Sequence, residues 1–432
     1  MENNLLNDVI TSYSFDYKYA GWKEINEDIL QDENIPPEIL DKLYQDNKDN
    51  LRILRGLSAH PGAPERLLEI FAADLNDAVR WGVANNKSTP PNVLKFLSSD
   101  SGAIIRYRVG KNEKTPVEVL DVLSGDSDTM LREGVASNPS APPEILMKLS
   151  ADSDETVRLA VAQNKSASPD ILDRLSGDAY DSVRAAVAEN PSTKGSTLMG
   201  LARDRNSEVR EKVAENNNAP VMALQGLIND PEALVREGVG ENKNTPLEDL
   251  KTLAQDQKQS IRSGVARNHN ASEDILIELS SDDDGYVRKA VARNPKTPEA
   301  ILTKLAKDAD WRVCESVAGN PSSPSKVLEF LSDNKDTYLR KAVASNKATP
   351  GQVLIRMADD PDWMVRENVA RNENAPVEAL LKLANDSDWR VTKLIVRNPN
   401  ITADALKTLA NHSNFRLRFK ARVALLNKMK EA

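Results

Sequence analysis

A 26-residue repeat runs through this chain of 432 residues and constrains its fold more than any other feature. The string VRxxVAxN recurs so regularly that its arginine falls on a strict 26-residue grid from residue 54 to residue 418. Arginine fills 12 of these 15 positions, and Leu54, Cys314 and Thr392 fill the other three. Self-similarity at a fixed period of about 20 to 50 residues indicates a solenoid, in which each unit packs on its neighbours.

Three more positions keep the same register as this Arg position. Leucine follows it by fourteen residues without exception from Leu68 to Leu406, and asparagine follows it by six residues from Asn86 to Asn398. His60 takes the Asn position at the N-terminal end. Aspartate precedes the Arg position by six residues at Asp74, Asp100, Asp126, Asp152, Asp178, Asp204, Asp230, Asp256, Asp282, Asp308, Asp360 and Asp386.

Each unit is predicted to contain two short helices. The first begins at a Pro or Ser, as in residues 89–100, and the second, as in residues 154–164, places Val157, Ala160 and Val161 on one face. Helices of about ten residues are marginal alone, so neighbouring units must hold them in place. Two residues after the Arg position the side chain is small in most units, as at Gly134 and Gly264, which would let consecutive second helices approach closely.

The unit DxxxxxVRxxVAxNPxTPxxxLxxLxxD resembles the variant leucine-rich repeats of bacteria, and its Asp and Val-Arg order is similar to that of HEAT repeats. The resemblance covers about residues 36–424. The chain departs from the variant pattern in its period of 26 residues instead of 24, and in lacking a cysteine cluster. The resemblance implies a right-handed all-α solenoid of about fifteen units with a scaffold or binding role and no reaction. It leaves open whether the first element of each unit is α or 3₁₀.

The repeat boundaries predict three regions. Residues 1–53 would form an N-terminal cap that includes a degenerate first repeat, with Tyr17, Tyr19 and Trp22 covering the first unit. Residues 54–411 would form the helical-repeat solenoid. Residues 412–432 would form a capping helix with a basic face, which could equally dock on a partner. Caps are needed because an open solenoid exposes apolar helix faces at its ends.

Composition argues against a catalytic, metal-bearing or membrane protein. The chain has one cysteine, Cys314, expected to be a buried small residue, and three histidines expected to lie on the surface or in loops: His60, His269 and His412. It has no long apolar run and starts without the basic and apolar regions of a signal peptide. We therefore expect a cytoplasmic bacterial protein that is not an enzyme and has no cofactor, no metal and no membrane contact.

The repeated polar residues are expected to be structural. The Asp would either cap a helix or pair with the Arg of its own or the next unit. The Asn amide would either bond to the backbone of the adjacent turn or adopt left-handed geometry where no proline follows. Every unit has the same backbone and side-chain groups to pair, so a structural residue is expected at the same position in each. A ligand that contacted all of these residues would have to be a polymer with the same spacing.

Function should lie in the positions that vary from unit to unit. Residues 1–260 carry a net charge of −14 and residues 261–432 carry +5, so the overall −9 hides a dipolar chain. Tyr and Trp recur near the start of the second helices in the C-terminal half, beside two DWRV strings. These rings either pack locally as core or form a binding strip, because Trp, Tyr and Arg are enriched at interface hot spots. Trp81 and Tyr107 could anchor a partner at the other end.

The sequence thus predicts a non-catalytic scaffold that presents its second helices to a protein partner, with an acidic or amphipathic segment as the bound element. Nucleic-acid binding along the same Arg and aromatic face is the alternative, and the overall acidity of the chain argues against it. The predicted contact residues are Tyr286, Arg293, Trp311, Arg312, Tyr338, Trp363, Arg371, Trp389, Arg390 and Arg397.

Overall fold

The computed structural model describes residue 30, residues 37–411 and residues 418, 420–422, 424 and 425. These residues form α-helices joined by short turns, and none of them lies in a β-strand. The described residues up to Leu227 form one compact unit, and those from Ile228 onward form a second. The predicted caps, including Tyr17, Tyr19 and Trp22, fall mainly outside the described residues.

The helices alternate between two kinds, as the repeat predicts. The first helices are Pro37–Asp46, Glu65–Ala72, Pro91–Leu97, Val117–Leu123, Pro143–Leu149, Pro169–Leu175, Gly195–Leu201, Val221–Leu227, Leu247–Leu253, Glu273–Leu279, Glu299–Leu305, Ser325–Ser332, Gly351–Met357, Val377–Leu383 and Ala403–Leu409. The second helices are Leu51–Ala59, Asp77–Asn85, Ala103–Lys111, Thr129–Ala136, Glu155–Gln163, Asp181–Glu189, Ser207–Glu215, Ala233–Glu241, Gln259–Arg267, Gly285–Arg293, Trp311–Gly319, Thr337–Ser345, Trp363–Arg371 and Trp389–Ile395.

The first element of each described repeat is an α-helix of about two turns, which decides the question left open by the sequence. In Pro91–Leu97 the N-cap Pro90 is extended, with φ −72° and ψ 154°, and Pro91 occupies the first turn. Proline is tolerated there because its missing N–H would have had no partner within the helix. Leu94 and Leu97 are fully buried and face the neighbouring helices.

The second helices begin at an Asp or Asn cap in many repeats and end at the Asn position. In Glu155–Gln163 the Asp154 side chain accepts a hydrogen bond from the backbone N–H of Thr156. Val157 and Val161 are fully buried, so their face forms the core. Asn164 ends the helix in an extended conformation, with φ −70° and ψ 122°, and turns the chain toward the next first helix.

Within each of the two compact units, the second helices of consecutive repeats pack directly on one another. The small residue two positions after the Arg makes this approach possible. A Cβ atom on Gly134 would lie 2.9 Å from the backbone oxygen of Tyr107 in the preceding second helix. Leu, Val and Ala side chains then fill the interior continuously. The prediction of an all-helical solenoid of stacked two-helix repeats is confirmed, and the predicted cap boundaries stay predictions.

Candidate functional site

The conserved register of arginine and aspartate produces a ladder of ion pairs between successive repeats. In each, the Arg Nε atom lies 2.6–2.8 Å from an Asp Oδ2 atom twenty residues later. The pairs up to residue 227 are Arg80–Asp100, Arg132–Asp152, Arg158–Asp178 and Arg184–Asp204. Those beyond it are Arg236–Asp256, Arg262–Asp282, Arg288–Asp308, Arg340–Asp360 and Arg366–Asp386.

Each guanidinium in this ladder is bonded on two sides. Arg158 donates to both carboxylate oxygens of Asp178 and, through Nη1, to the backbone oxygen of Asp152 over 2.8 Å. The Oδ1 atom of Asp178 also accepts the backbone N–H of Tyr180. The hydrogen bond from Arg132 likewise lowers the pKa of Asp152. The Asp side chain therefore pairs with the Arg of the preceding repeat, so the predicted pairing with the Arg of its own or the next unit was wrong. Only the backbone oxygen of the Asp bonds to the Arg of its own repeat.

One interruption of the ladder removes both partners together. Cys314 stands at an Arg position, and Asn334 stands where its Asp partner would be, twenty residues later. Cys314 is buried, as predicted, and its Sγ atom lies 3.4 Å from the backbone oxygen of Asp308. Burial raises the pKa of this thiol. Losing the two charges together avoids leaving one carboxylate without its cation.

A second ladder is formed by the asparagines that end the second helices. Asn190 donates from Nδ2 to the backbone oxygens of Ala162 and Asn164 in the preceding repeat, and its Oδ1 accepts the N–H of Ser192. The same pattern recurs at Asn86, Asn112, Asn138, Asn164, Asn216, Asn268, Asn294, Asn320, Asn346, Asn372 and Asn398. No described residue has a positive φ, so the left-handed alternative was wrong.

The two described histidines lie in a loop or on the surface, as the sequence predicts. His60 lies in the loop after Leu51–Ala59, where it is buried, with 2% of its surface exposed. It occupies the Asn position, and its Nδ1 accepts the backbone N–H of Gly62 over 3.0 Å, as an Asn Oδ1 does in other repeats. Burial follows from the repeat register, since the Asn position is buried throughout. His269 is exposed, and His412 lies outside the described residues.

The five predicted aromatic residues begin successive second helices of the unit from residue 228 onward. Trp311, Trp363 and Trp389 are the first residues of their helices, and Tyr286 and Tyr338 are the second. We call these five residues the aromatic row. Four of them are 51–57% exposed, and Trp363 is less so. The rings are therefore partly exposed and partly packed against their neighbours. This lies between the two interpretations left open by the sequence, local core packing and a binding strip.

Both DWRV arginines reach back to a ring of an earlier repeat. The guanidinium carbon of Arg312 lies 4.5 Å from the ring centre of Tyr286, and that of Arg390 lies 3.5 Å from the ring centre of Trp363. Arg312 also donates to the hydroxyl of Tyr286 over 2.9 Å. Such stacking contributes about 0.5–1 kcal/mol at an exposed site. The two arginines thus keep their neighbouring rings in defined orientations.

The same two arginines are neutralised by carboxylates of their own repeats. Arg312 bonds to Asp310 through Nε and Nη2, and Arg390 bonds to Asp388 in the same way. The hydrogen bond from Arg390 lowers the pKa of Asp388 to about 2. The aromatic row is therefore a surface of rings and paired charges without a large local excess of positive charge.

A shallow depression of about 380 Å³ lies at the C-terminal end of the row, between Trp363 and Trp389. Arg366, Asp388 and Arg390 line it further. Lys393 covers the ring of Trp389, with Nζ 4.4 Å from the ring centre. Lys393 is a residue of this site that was not among the predicted contacts. Its position one turn after Trp389, in the DWRVTK string, was the available signal.

The remaining predicted arginines lie apart from the rings. Arg293 and Arg371 end their helices, about 10–12 Å along the helix axis from Tyr286 and Trp363, and Arg397 follows the last second helix. All three are exposed. Arg371 pairs with Glu367 over 3.0 Å. The structure thus brings seven of the ten predicted residues into one row and leaves three at the opposite helix ends.

These features place the chain among helical-repeat proteins built of stacked two-helix units. Residues 363–388, which span one repeat, match the family model of the leucine rich repeat variant. The resemblance seen in the VRxxVAxN unit is thereby confirmed. No curated protein sequence matches the chain.

Solved structures of helical-repeat proteins are similar to the chain. A leucine-rich repeat variant with a novel repetitive structural motif is 27% identical, over 52% of this chain and 88% of that one, with a TM-score of 0.38. Kap121p is 12% identical over 93% of this chain and 56% of its own, with a TM-score of 0.38. Yeast importin-beta, Kap95p, is 14% identical over 94% and 60%, with a TM-score of 0.34. The chain thus spans a little over half of these two longer proteins.

Proposed function

We propose that this chain is a non-catalytic scaffold that binds a protein partner along the exposed side of the second helices from residue 228 onward. The observation that carries the proposal is the aromatic row, with a ring at the start of five successive second helices and four of the rings 51–57% exposed. Exposed Trp and Tyr held in fixed orientation bury large apolar area at little entropic cost when a partner covers them. The proposed contacts are Tyr286, Arg293, Trp311, Arg312, Tyr338, Trp363, Arg371, Trp389, Arg390 and Arg397.

The charge distribution favours an amphipathic partner segment. Because Asp310 and Asp388 already pair with the stacked arginines, the row offers mainly ring faces and edges. Exposed Arg293 and Arg397 lie at the other end of the helices and supply positive charge for acidic side chains of the same segment. A partner segment fits both the rings and the exposed arginines if its apolar face contacts the aromatic row and acidic residues flank that face.

The proposal is tested by affinity purification from the source cell with the wild-type chain and the double variant Trp363→Ala, Arg390→Glu. We expect the variant to lose the proteins that the wild type recovers. Phe330→Ala is the matched control, because Phe330 is a ring of similar exposure, 55%, on a first helix of the same unit. Unchanged recovery with the double variant would refute the site.

Nucleic-acid binding along the same row is the second candidate, favoured by the +5 net charge of residues 261–432 and by the exposed rings. The pairing of Arg312 and Arg390 with carboxylates argues against it, since phosphates would have to displace them. A salt titration of binding to mixed DNA and RNA separates the two, because phosphate contacts weaken steeply as salt increases.

Within the described residues, no helix combines the length and apolar character needed to cross a bilayer.

A further inference from the structure

Arg108, in the unit that ends at residue 227, occupies a position that is small in the adjoining repeats. Its equivalents are Gly82 in the preceding repeat and Gly134 in the following one. The Arg108 guanidinium carbon lies 5.1 Å from the ring centre of Trp81 and 5.5 Å from that of Tyr107. A long cation thus stands against two aromatic rings where neighbouring repeats have no side chain at all.

The hydrogen bonds of Arg108 differ from those of the other ring-stacked arginines. Arg312 and Arg390 are each held by a carboxylate of their own repeat. Arg108 forms no ion pair with any residue that the structure describes, and its Nε atom is buried without a hydrogen-bond partner. Its Nη1 atom makes a 3.3 Å hydrogen bond to the side-chain oxygen of Asn85, which is a neutral acceptor.

A second cation lies beside this one. The Nζ atom of Lys111 is 5.7 Å from the ring centre of Tyr107, and the Lys111 side chain is exposed. One carboxylate is near, since the Tyr107 hydroxyl lies 3.5 Å from Glu133 in the next repeat. That carboxylate disfavours a second anion on its own side of Tyr107.

We infer that Trp81, Tyr107, Arg108 and Lys111, here called the Arg108 patch, bind an acidic segment of a protein partner. One Asp or Glu carboxylate of the segment accepts charge-assisted hydrogen bonds from Arg108, and Lys111 supplies further attraction. The guanidinium lies near both rings, and its one hydrogen bond within the described part of the chain goes to the neutral oxygen of Asn85, so a carboxylate can bind its other terminal donors. This site is separate from the aromatic row and does not depend on the function proposed for it.

The test is calorimetric titration of the full chain at low salt with hexaglutamate and, as a neutral probe, hexaglutamine. We expect hexaglutamate to bind and Arg108→Gly to weaken it at least about tenfold, because glycine is the residue of both adjoining repeats. Lys111→Ala should weaken binding less. Lys87→Ala, which removes an exposed charge away from the rings, should leave the affinity within about twofold. Arg108→Gln serves if the glycine variant does not fold.

Four results would overturn the inference. The first is that hexaglutamate produces no binding heat with the wild type, and the second is that it binds Arg108→Gly and Lys87→Ala equally well. The third is that inorganic phosphate displaces hexaglutamate at equal concentration, which would assign the patch to phosphate instead of carboxylate. Equal binding of hexaglutamine would show that charge does not matter. None of these results bears on the aromatic row, which is tested by its own variants.

Discussion

Arg158 joins its repeat to the next one through Asp178, with Nε–Oδ2 2.6 Å and Nη2–Oδ1 3.1 Å. Both side chains are largely shielded from water, with 13% and 7% of their surface exposed. The pair therefore acts between repeats instead of within one. At the equivalent positions in another pair of repeats, the uncharged residues Cys314 and Asn334 replace the Arg and the Asp.

Arg158→Ala should lower the free energy of unfolding by about 2–4 kcal/mol, because it leaves the Asp178 carboxylate without its cation. The double variant Arg158→Cys, Asp178→Asn, which copies the Cys314 and Asn334 combination, should cost less than the single change. Urea unfolding followed by circular dichroism measures both, and a double variant less stable than Arg158→Ala would contradict the expectation. Lys194→Ala is the control, since its exposed pair with Asp170 should contribute under about 1 kcal/mol.

Stability should fall as pH drops into the acid range. The hydrogen bond from Arg132 lowers the folded-state pKa of Asp152, and the pKa values of Asp100, Asp178 and Asp204 are lowered as well. Their contribution is complete above the unfolded value near 3.8 and is lost as pH falls through the folded values, because the unfolded chain then binds more protons. Melting temperatures between pH 6 and pH 2 measure this. A variant with Arg132→Met and Asp152→Asn should show a shallower decline.

Asn190→Leu should lower the free energy of unfolding by about 1–3 kcal/mol, because three backbone groups lose their partner in a buried place. These are the oxygens of Ala162 and Asn164 and the N–H of Ser192. Asn218→Leu is the control, since its amide reaches a carbonyl of the preceding repeat from an exposed position. Equal stability of wild type and Asn190→Leu in urea titration would refute the structural role of this ladder.

Asp249→Val should stabilise the chain by about 1–2 kcal/mol. Asp249 is 9% exposed on a first helix, and its Oδ2 atom has no hydrogen-bond partner. The equivalent positions hold Ala223 and Ile275 in the two neighbouring repeats, and Val327 and Val353 further along, all of which are buried. Replacing an unsatisfied polar group by an apolar one of similar size removes its desolvation cost. Thermal unfolding measures the change. A lower melting temperature for Asp249→Val would show that the Asp249 carboxylate makes stabilising contacts in the folded chain.

The Cys314 thiol should react with a disulfide reagent only after the chain unfolds. It is buried, and burial raises its pKa, so little thiolate exists in the folded state. The reaction rate in buffer and in concentrated urea measures this. Fast reaction in buffer, with the circular dichroism spectrum unchanged, would contradict the burial.

Several features of the ladders could be predicted because they repeat. The regular Arg, Asn and Asp positions indicated internal bonding, and the Asn amides do bond to the adjacent repeat. The sequence predicted that each Asp would pair with the Arg of its own or the next unit, which was wrong, because a regular spacing along the chain does not show which repeat a carboxylate faces. The structure pairs Asp178 with Arg158 of the preceding repeat, twenty residues earlier. The burial of His60 within its loop follows from its place at the Asn position.

The candidate sites depended more on the structure. The sequence indicated that rings gather near the starts of the C-terminal second helices, but their exposure depends on what packs beside them. Asp310 and Asp388 turn out to neutralise the stacked arginines, whereas Arg108 receives no carboxylate from the described residues. Those differences depend on side chains in adjacent repeats and on the residues that cap each helix. A repeat pattern in the sequence does not show which of these groups contact one another.

The amino-acid sequence by itself determined the period, the two-helix unit and the stacked all-helical fold, because a unit of 26 residues cannot bury its apolar face alone. The tertiary structure alone decided which polar groups meet between repeats, that the short first elements are α-helical, and which rings and cations remain available to a partner. The reason is physical: periodicity fixes which face of a helix is buried, while pairing and exposure depend on distances between side chains of different repeats.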